Sequence, residues 1–270
     1  MNFFYEQKHY ERSIRILTEK FKLFSYPAHW HLEHEIVAVF SGSLNVGFNL
    51  QTYSLSAGEL IFIPGGNIHY FEAKNIGDGC YMMFSPTILN EELNGFSFPL
   101  LIKNNNNIDF FIGLFQNISD EIQKCSTAYA DFINSYLRLI SAWFIRIRTT
   151  DNIISSKSIN TADLDKIKNL LEYIENNYAQ KITVSAGANI LHFSESYFSK
   201  YFKIFTGTTF SKYINYIRIK AAWDMLKTTN AKITVIADNC GFENIRTFNR
   251  EFKALTGITA KEYRQNEKFI

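Results

Sequence analysis

Three histidines and one glutamate in the first seventy residues have the spacing of a binding site. His29 and His31 are separated by one residue, Glu35 follows four residues later, and His69 lies further along the chain. Residues i and i+2 of a β-strand point to the same face, so a shared face is predicted for His29 and His31. Glu35 and a histidine on a neighbouring strand would complete the group. Such a group suits a divalent metal ion, hydrogen bonding to a small polar ligand, or a purely structural role.

A second set of residues with chemical potential is repeated at an offset of fifty positions. Residues 198–207 align with residues 248–257, and Phe, Phe, Lys, Thr and Gly coincide. Each copy predicts a short apolar helix, a turn, and a second helix closed by a glycine in the left-handed conformation. This order is the helix-turn-helix plan. The predicted helices are 184–191 and 194–205 in the first copy, the latter capped by Ser194, and 235–239 and 244–255 in the second.

The second helix of each copy is predicted to have an apolar and a polar face. Phe198 and Phe202, like Phe248 and Phe252, are four residues apart and should point into a core. The opposite face is predicted to meet bases and phosphates of DNA. Together with Ser194 and Asn244 at the two helix starts, the residues predicted to contact DNA are Ser196, Tyr197, Lys200, Lys203, Arg246, Thr247, Asn249, Arg250 and Lys253. One basic face is often merely solvated, but two copies favour DNA binding, with Arg246 reading guanine.

The elements that must position the histidine group have the pattern of β-strands. Segments 35–40, 43–48 and 59–63 are short, rich in β-branched and aromatic residues, and bounded by turn formers. Several such strands at close spacing indicate a small barrel or sandwich. Two amphipathic helices are predicted within 108–149, to cover the barrel or to pair with a second subunit. The predicted apolar face of the second comprises Phe132, Tyr136, Leu139, Ile140, Trp143, Phe144 and Ile147.

Charge and cysteine content constrain the function. Residues 181–264 contain 13 Lys and Arg against 6 Asp and Glu, whereas residues 1–160 contain 12 against 15. A basic segment beside a nearly neutral one is typical of a DNA-facing module joined to a partner domain. The three cysteines have no paired spacing, which excludes a disulfide framework and a thiolate zinc site. With no apolar segment long enough to span a membrane, these features predict a cytoplasmic protein.

Residues 163–265 resemble the DNA-binding domain of the AraC/XylS family of transcription regulators. The resemblance is carried by 194–203, 216–222, Ile236-Ala237, Cys240-Gly241-Phe242, 248–253 and Tyr263-Arg264. It implies a seven-helix module, two major-groove helices, and activation through contacts with RNA polymerase. Gly187 departs from the family, which usually has a larger aliphatic residue there, and predicts a packing gap and a weaker first unit. His192 is interpreted as a turn residue rather than a ligand.

The N-terminal half resembles a cupin barrel, as found in many sensor domains of this family. His29, His31, Glu35 and Gly42 keep the spacing of the first cupin motif, and Gly58, Pro64, Gly66 and His69 keep most of the second. Leu23 and Ala73 replace the Gly and Asn of these motifs. The resemblance implies an effector, most often a carbohydrate. The predicted effector-binding residues are His29, Trp30, His31, Glu35 and His69, with no metal ion or other cofactor assigned. Stacking of an aromatic effector on Trp30, Tyr53 or Tyr70 is the alternative.

The predicted protein is therefore an α+β protein of two domains. Residues 1–150 form a cupin-like β-barrel with a helical pair at 108–149, residues 151–162 a linker, and residues 163–270 an all-α double helix-turn-helix domain. The predicted function is that of a homodimeric, effector-controlled activator that binds double-stranded DNA and RNA polymerase and no membrane. A cupin enzyme, such as an isomerase or dioxygenase, is the rival hypothesis. It explains less, because such an enzyme has no need of two helix-turn-helix units and no nucleophile arrangement is visible.

Overall fold

The computed structural model describes residues 14–20, 25–88, 99–103, 108–148 and 161–267. These residues form two compact units that divide near residue 160. Most of the predicted linker, 151–160, lies outside the described residues, as does Leu23. The last two linker positions, 161 and 162, belong to the first helix of the second unit.

The first unit consists of two antiparallel sheets and two helices. Its strands are β1 (Ile14–Lys20), β2 (Ser25–His29), β3 (His34–Val39), β4 (Ser43–Phe48), β5 (Gln51–Ser56), β6 (Glu59–Ile63), β7 (His69–Ala73), β8 (Asp78–Phe84) and β9 (Leu100–Ile102). One sheet has the order β1-β8-β3-β6-β9 and the other the order β2-β7-β4-β5. The strands predicted at 43–48 and 59–63 have those bounds, and the one predicted at 35–40 begins and ends one residue earlier.

Strand β3 shows why the sheets pack as they do. All six of its residues are buried. Val37 and Val39 belong to the core that also holds Val46 and Phe71 of the other sheet. Because side chains alternate along a strand, Ile36 and Ala38 point to the opposite face. A strand buried on both faces lies in the middle layer of the structure. Glu35 is two residues before Val37, so its side chain points to the same face as Val37, toward the core between the sheets.

Helices α1 (Ile108–Lys124) and α2 (Tyr129–Arg148) cover the outer face of the five-stranded sheet. The rings of Phe62 and Phe144 are 5.3 Å apart across this contact. The predicted apolar face of α2 was partly wrong: its core-facing residues are Ile133, Leu137, Ile140 and Phe144. Phe132 and Leu139 instead remain 51% and 46% exposed. The helix has two apolar stripes, and the sequence pattern merged them.

The second unit is entirely helical. Its helices are α3 (Thr161–Asn177), α4 (Val184–Leu191), α5 (Glu195–Thr206), α6 (Phe210–Thr228), α7 (Ile233–Asn239), α8 (Ile245–Thr256) and α9 (Ala260–Glu267). Helix α7, the first helix of the second copy, begins at Ile233, two residues before its predicted start at 235. Gly207 and Gly257 end α5 and α8 in the left-handed conformation, as predicted. No helix within the described ranges has the length and apolar character needed to cross a bilayer.

Gly187 is a site of close packing and not of a gap, contrary to the prediction. A Cβ atom at this position would lie 2.6 Å from Cζ of Phe198 and 2.9 Å from Cζ of Phe210. The two rings occupy the space that a side chain would fill, so the aromatic residues compensate for the missing methyl group. His192 lies in the turn, as predicted, with φ 57° and ψ 40°.

Candidate functional site

The side chains of His29, His31, Glu35 and His69, predicted to form one binding site, lie together in the barrel. His29 of β2 pairs with His69 of β7 in the four-stranded sheet, and Glu35 comes from β3 in the other sheet. Nε2 of His69 is 3.0 Å and Nε2 of His31 3.5 Å from Oε2 of Glu35. The His29 and His69 ring centroids are 4.2 Å apart. The group is well shielded from water, since the side chains of His31, Glu35 and His69 are only 9%, 4% and 1% exposed.

Each of the three imidazoles is oriented by a backbone carbonyl two residues away. Nδ1 of His29 lies 2.9 Å from the oxygen of Pro27, Nδ1 of His31 lies 3.1 Å from that of Glu33, and Nδ1 of His69 lies 3.0 Å from that of Asn67. A carbonyl oxygen only accepts hydrogen bonds, so each Nδ1 carries the proton. A neutral ring then has its lone pair on Nε2, whereas a hydrogen bond from Nε2 of His31 or His69 to the Glu35 carboxylate requires the doubly protonated ring.

The loop that carries His31 is held by two glycines. Gly66 N donates to the carbonyl oxygen of His31 at 2.7 Å, and Gly65 N donates to Nδ1 of His34 at 2.9 Å. A Cβ atom at Gly65 would lie 2.1 Å from the carbonyl oxygen of Leu32, so no larger residue fits there. These contacts fix the backbone on which His31 stands.

The site strongly perturbs the pKa values of His29 and Glu35. Burial lowers the pKa of His29 well below its usual value, and the charges of His69 and His31 lower it further. Burial alone would raise the pKa of Glu35. Hydrogen bonds from His31 and His69, with their charges, outweigh that effect and hold the pKa of Glu35 far below its ordinary range. Glu35 is therefore a carboxylate at neutral pH.

The residues fit a divalent metal ion as well as a polar organic ligand. One donor atom from each of His29, His31, Glu35 and His69 can be chosen so that all four lie within 4.8 Å of one another. Donors on opposite sides of an ion with bonds of about 2.1 Å are about 4.2 Å apart, so small side-chain shifts suffice. Three imidazoles and a carboxylate suit first-row transition metals. The same groups also offer hydrogen bonds to hydroxyl groups.

Trp30, Tyr53 and Tyr70, predicted as residues on which an aromatic effector could stack, lie in different surroundings. Trp30, between His29 and His31 in the chain, is half-buried. Tyr53 is buried and donates its hydroxyl proton to Oε1 of Gln51 at 2.7 Å. The ring of Tyr70 lies directly over Gly47, where a Cβ atom would come within 1.8 Å of it. Alternation along β7 points Tyr70 away from the face of His69, so Tyr70 is not placed for stacking at the cluster.

The polar face predicted for α5 is exposed. Ser196, Tyr197, Lys200 and Lys203 are all at the surface, whereas Phe198 and Phe202 are completely buried. The Ser194 hydroxyl accepts a hydrogen bond from Tyr197 N at 3.4 Å and caps the helix. Tyr197 is 54% exposed and its ring lies 4.7 Å from that of Phe193.

Helix α8 has the same arrangement. Arg246, Asn249, Arg250 and Lys253 are exposed and Thr247 is half-buried, over the buried pair Phe248 and Phe252. Oδ1 of Asn244 accepts a hydrogen bond from Thr247 N at 2.8 Å, so this side chain caps the helix. Arg250 donates to Oε1 of Glu251 at 2.8 Å through Nη2. Within the described part of the chain, no ion pair involves Arg246, Lys200 or Lys203.

Sequence reasoning missed a contact region around Arg218 of α6. Nε donates to the carbonyl oxygen of Tyr178 at 2.8 Å, and Nη2 donates to that of Gln180 at 2.9 Å. Burial lowers the pKa of Arg218. Its guanidinium carbon also lies 5.8 Å from the centre of the Phe242 ring. The sequence places Arg218 in a largely apolar helix and in segment 216–222 of the family resemblance, and neither signal identifies its partners.

Two protein-family models match this chain. The AraC-like ligand binding domain family matches residues 13–99, and a helix-turn-helix domain family matches residues 188–266. The activator RhaS of Salmonella agona (strain SL483) is 23% identical over 261 residues, which cover 91% of this chain and 90% of RhaS. The uncharacterized helix-turn-helix regulator YdeC of Bacillus subtilis (strain 168) is 23% identical over 251 residues, covering 88% and 86%.

Among solved structures, ToxT from Vibrio cholerae O395 aligns with 96% of this chain and 99% of its own, at 17% identity and a TM-score of 0.47. The two matched families together account for more than half of this chain, in the order ligand-binding domain and then helix-turn-helix domain. RhaS and YdeC extend the similarity over nearly the whole length. The chain belongs to the AraC family of DNA-binding transcription regulators, with a ligand-binding barrel and a double helix-turn-helix domain.

Proposed function

We propose that this protein is a transcription activator that reads directly repeated DNA sites with α5 and α8 and responds to a carbohydrate bound in the barrel. One observation carries the DNA-binding part. Each of these helices starts at a side-chain cap, buries a pair of phenylalanines four residues apart and ends at a left-handed glycine, and α5 buries Phe205 in addition. Each therefore presents the opposite, polar face to solvent at equivalent positions. Two such helices suit successive turns of the major groove, about 34 Å apart.

The exposed residues divide by chemistry into base readers and phosphate binders. Arg246 stands in the first turn of α8, where a planar guanidinium can bind O6 and N7 of guanine together. Lys200, Lys203 and Lys253 carry compact charges suited to phosphates. The remaining proposed contacts are Ser194, Ser196, Tyr197, Asn244, Thr247, Asn249 and Arg250.

The proposed effector site comprises His29, Trp30, His31, Glu35 and His69. The Glu35 carboxylate and the imidazoles supply acceptors and donors for sugar hydroxyl groups, and Trp30 offers a ring for the apolar face of a sugar. The shielding of this group from water favours a small ligand over a macromolecule. We assign the barrel no catalytic role.

The other proposed partners are a second copy of this chain and RNA polymerase. The exposed stripe of α2, with Phe132 and Leu139, is proposed to pair with the same stripe of a second copy. Asp131 lies in its first turn and Arg146 near its last, so an antiparallel pair would bring opposite charges together. Activation through RNA polymerase and a cytoplasmic location complete the proposal.

Arg246→Ala tests the DNA-binding part. A duplex that the full chain selects from a randomised pool would serve as the probe in an anisotropy titration. We expect Arg246→Ala to weaken binding by about tenfold or more and to relax base preference at one position. Arg138→Ala, which removes an equally exposed charge from α2, is the matched control and should bind normally. Normal affinity and base preference in Arg246→Ala would contradict the proposed base contact.

A further inference from the structure

Aromatic and apolar side chains form a flank of α5 beside its DNA-facing residues. This α5 flank consists of Tyr197, Tyr201 and Ile204, and Tyr197 and Ile204 are 54% and 55% exposed. We infer that the α5 flank lies against the wall of the major groove and that the Tyr197 ring contacts the methyl group of a thymine. This inference rests on the proposed function, because it names the base that α5 selects.

Helical spacing places the α5 flank next to the residues proposed to read bases. Successive residues of an α-helix are about 100° apart around its axis, so Tyr197, Tyr201 and Ile204 fall within about 60° of one another. The exposed Lys200 is about 40° from Ile204 and about 60° from Tyr197. The flank is therefore continuous with the surface proposed to bind DNA.

Neighbouring rings hold Tyr197 in place. Its ring centroid lies 4.7 Å from that of Phe193, in edge-to-face contact, and 5.9 Å from that of Tyr201, on which it stacks. Phe193 also contacts Tyr201, with ring centroids 5.2 Å apart. Three rings in mutual contact restrict the rotamer of Tyr197 before DNA binds. Little side-chain freedom is then lost on binding, which favours affinity.

Helix α8 has different side chains at the equivalent positions. At the offset of fifty, the residues that correspond to Tyr197, Tyr201 and Ile204 are Thr247, Glu251 and Ala254. A packing requirement common to helix-turn-helix units would appear in both copies. The aromatic character of the α5 flank therefore indicates a role of the first unit alone.

The phenylalanines in the two turns differ in the same sense. The amide groups of Phe193 and Phe242 donate to the carbonyl oxygens of Ala188 and Ala237, so the two phenylalanines have equivalent backbone positions. Phe242 is buried, and its ring centroid lies 5.3 Å from that of Phe248 in the core. Phe193 is only half-buried and supports the exposed ring of Tyr197 instead. The first unit thus uses its turn phenylalanine to build the flank.

The dimensions of the major groove bring the flank of an inserted helix against the groove wall. A helix with its side chains is about 10–12 Å across, and the groove is about 12 Å wide. Residues beside the base-facing line therefore meet base edges and sugars. The methyl group of thymine is the only alkyl group on the base edges in this groove. Contact between this methyl group and the Tyr197 ring would remove apolar surface of both from water.

Replacing thymine by uracil in the DNA tests this contact directly. The duplex that the full chain selects would first be divided into half-sites by Arg246→Ala, because its altered base preference marks the half-site of α8. Each thymidine in the other half-site would then be replaced by deoxyuridine, which pairs in the same way and lacks only the methyl group. We expect the wild type to bind one of these duplexes about fourfold more weakly, the equivalent of one buried methyl group.

Variants of Tyr197 identify the side chain that makes the contact. Tyr197→Ala should bind the thymidine and deoxyuridine duplexes equally, because the ring is absent. Tyr197→Thr should do the same with the residue that α8 has at this position. Tyr197→Phe loses only the hydroxyl group and should keep the wild-type discrimination. Tyr173→Ala removes an exposed tyrosine from α3, is the matched control, and should discriminate like the wild type.

The outcomes separate this inference from the proposed function. If the wild type binds its selected duplex but no deoxyuridine in the half-site of α5 weakens binding, the thymine contact is wrong and the regulator assignment survives. A half-site of α5 without thymine has the same consequence. Folded Tyr197→Ala and Tyr197→Thr proteins that still prefer thymine would also overturn the contact, with folding checked by circular dichroism. A flank that instead binds another protein predicts wild-type DNA binding in both variants. Failure of the full chain to select any duplex would contradict the proposed function itself.

Discussion

Asn244 shows at the scale of one residue how capping and base reading compete for a side chain. Its Oδ1 accepts from Thr247 N at 2.8 Å, which satisfies one of the free amide groups at the start of α8. Asn244→Ala should therefore destabilise this helix by about 1 kcal/mol. Asn244→Ser should preserve the cap but remove the amide proposed to contact DNA, so we expect it to weaken DNA binding by about fivefold or more without destabilising the helix. Hydrogen exchange of residues 245–256 and duplex titrations would measure the two effects.

Ser194→Ala is the matched change in the first unit, because Ser194 caps α5 in the same way. It should increase exchange in α5 and leave α8 unaffected. Wild-type DNA affinity in a fully stable Asn244→Ser protein would contradict the proposed DNA contact of the Asn244 amide.

Gly187 leads to a prediction in which two effects oppose each other. Replacing it by Ala favours the helix by about 1 kcal/mol, but the new methyl group overlaps the rings of Phe198 and Phe210. Overpacking costs about 1–3 kcal/mol, so we expect Gly187→Ala to destabilise the first helix-turn-helix unit by about 1 kcal/mol net. Hydrogen exchange of residues 184–210 would measure the change. Ser185→Ala, an exposed substitution two residues earlier on the same helix, should be neutral or slightly stabilising, and a stabilised Gly187→Ala would contradict the packing argument.

Residues that work through local spacing were the predictable ones. His29 and His31 were predicted to share one face of a strand, and they do lie together with Glu35, but β2 ends at His29 and His31 stands in the loop that follows. Ser194 was predicted as a cap because capping depends on three or four neighbouring residues. Arg218 and the contact of Gly187 with two rings depend on partners far away in the chain, and no local pattern encodes those partners.

At the scale of elements, helix α2 was predicted in position but not in orientation. Its bounds agree with the predicted helical pair at 108–149, and its two apolar stripes explain the wrong face. Amphipathic spacing identifies a helix reliably when there is one stripe. With two stripes, only the packing of Phe144 against Phe62 decides which one faces the sheet.

The second stripe leads to a prediction about assembly. Leu139 is 46% exposed, and we expect Leu139→Glu to convert a dimer into a monomer by placing two buried charges in the proposed interface. Sedimentation velocity across micromolar concentrations would measure the change. Asn134→Glu introduces the same charge on another exposed side of α2 and should leave the dimer intact. A wild-type protein that sediments as a monomer throughout would refute the dimer, and a dimeric Leu139→Glu would place its interface elsewhere.

At the scale of the molecule, the division of charge leads to a prediction about salt. The excess of seven positive charges within residues 181–264 should make DNA binding weaken steeply as salt rises, because bound phosphates release counterions. Lys200→Ala or Lys203→Ala should lower affinity for all duplexes alike and reduce the slope of log K against log salt by about 1. Arg246→Ala should in addition alter base preference, since a guanidinium on a base edge contributes specificity.

Lys124→Ala, an exposed change at the end of α1 in the first unit, should leave slope and preference unchanged. Equal slopes for all four variants and the wild type would show that these lysines do not contact phosphates, and the DNA-facing surface would then have to be sought away from α5 and α8.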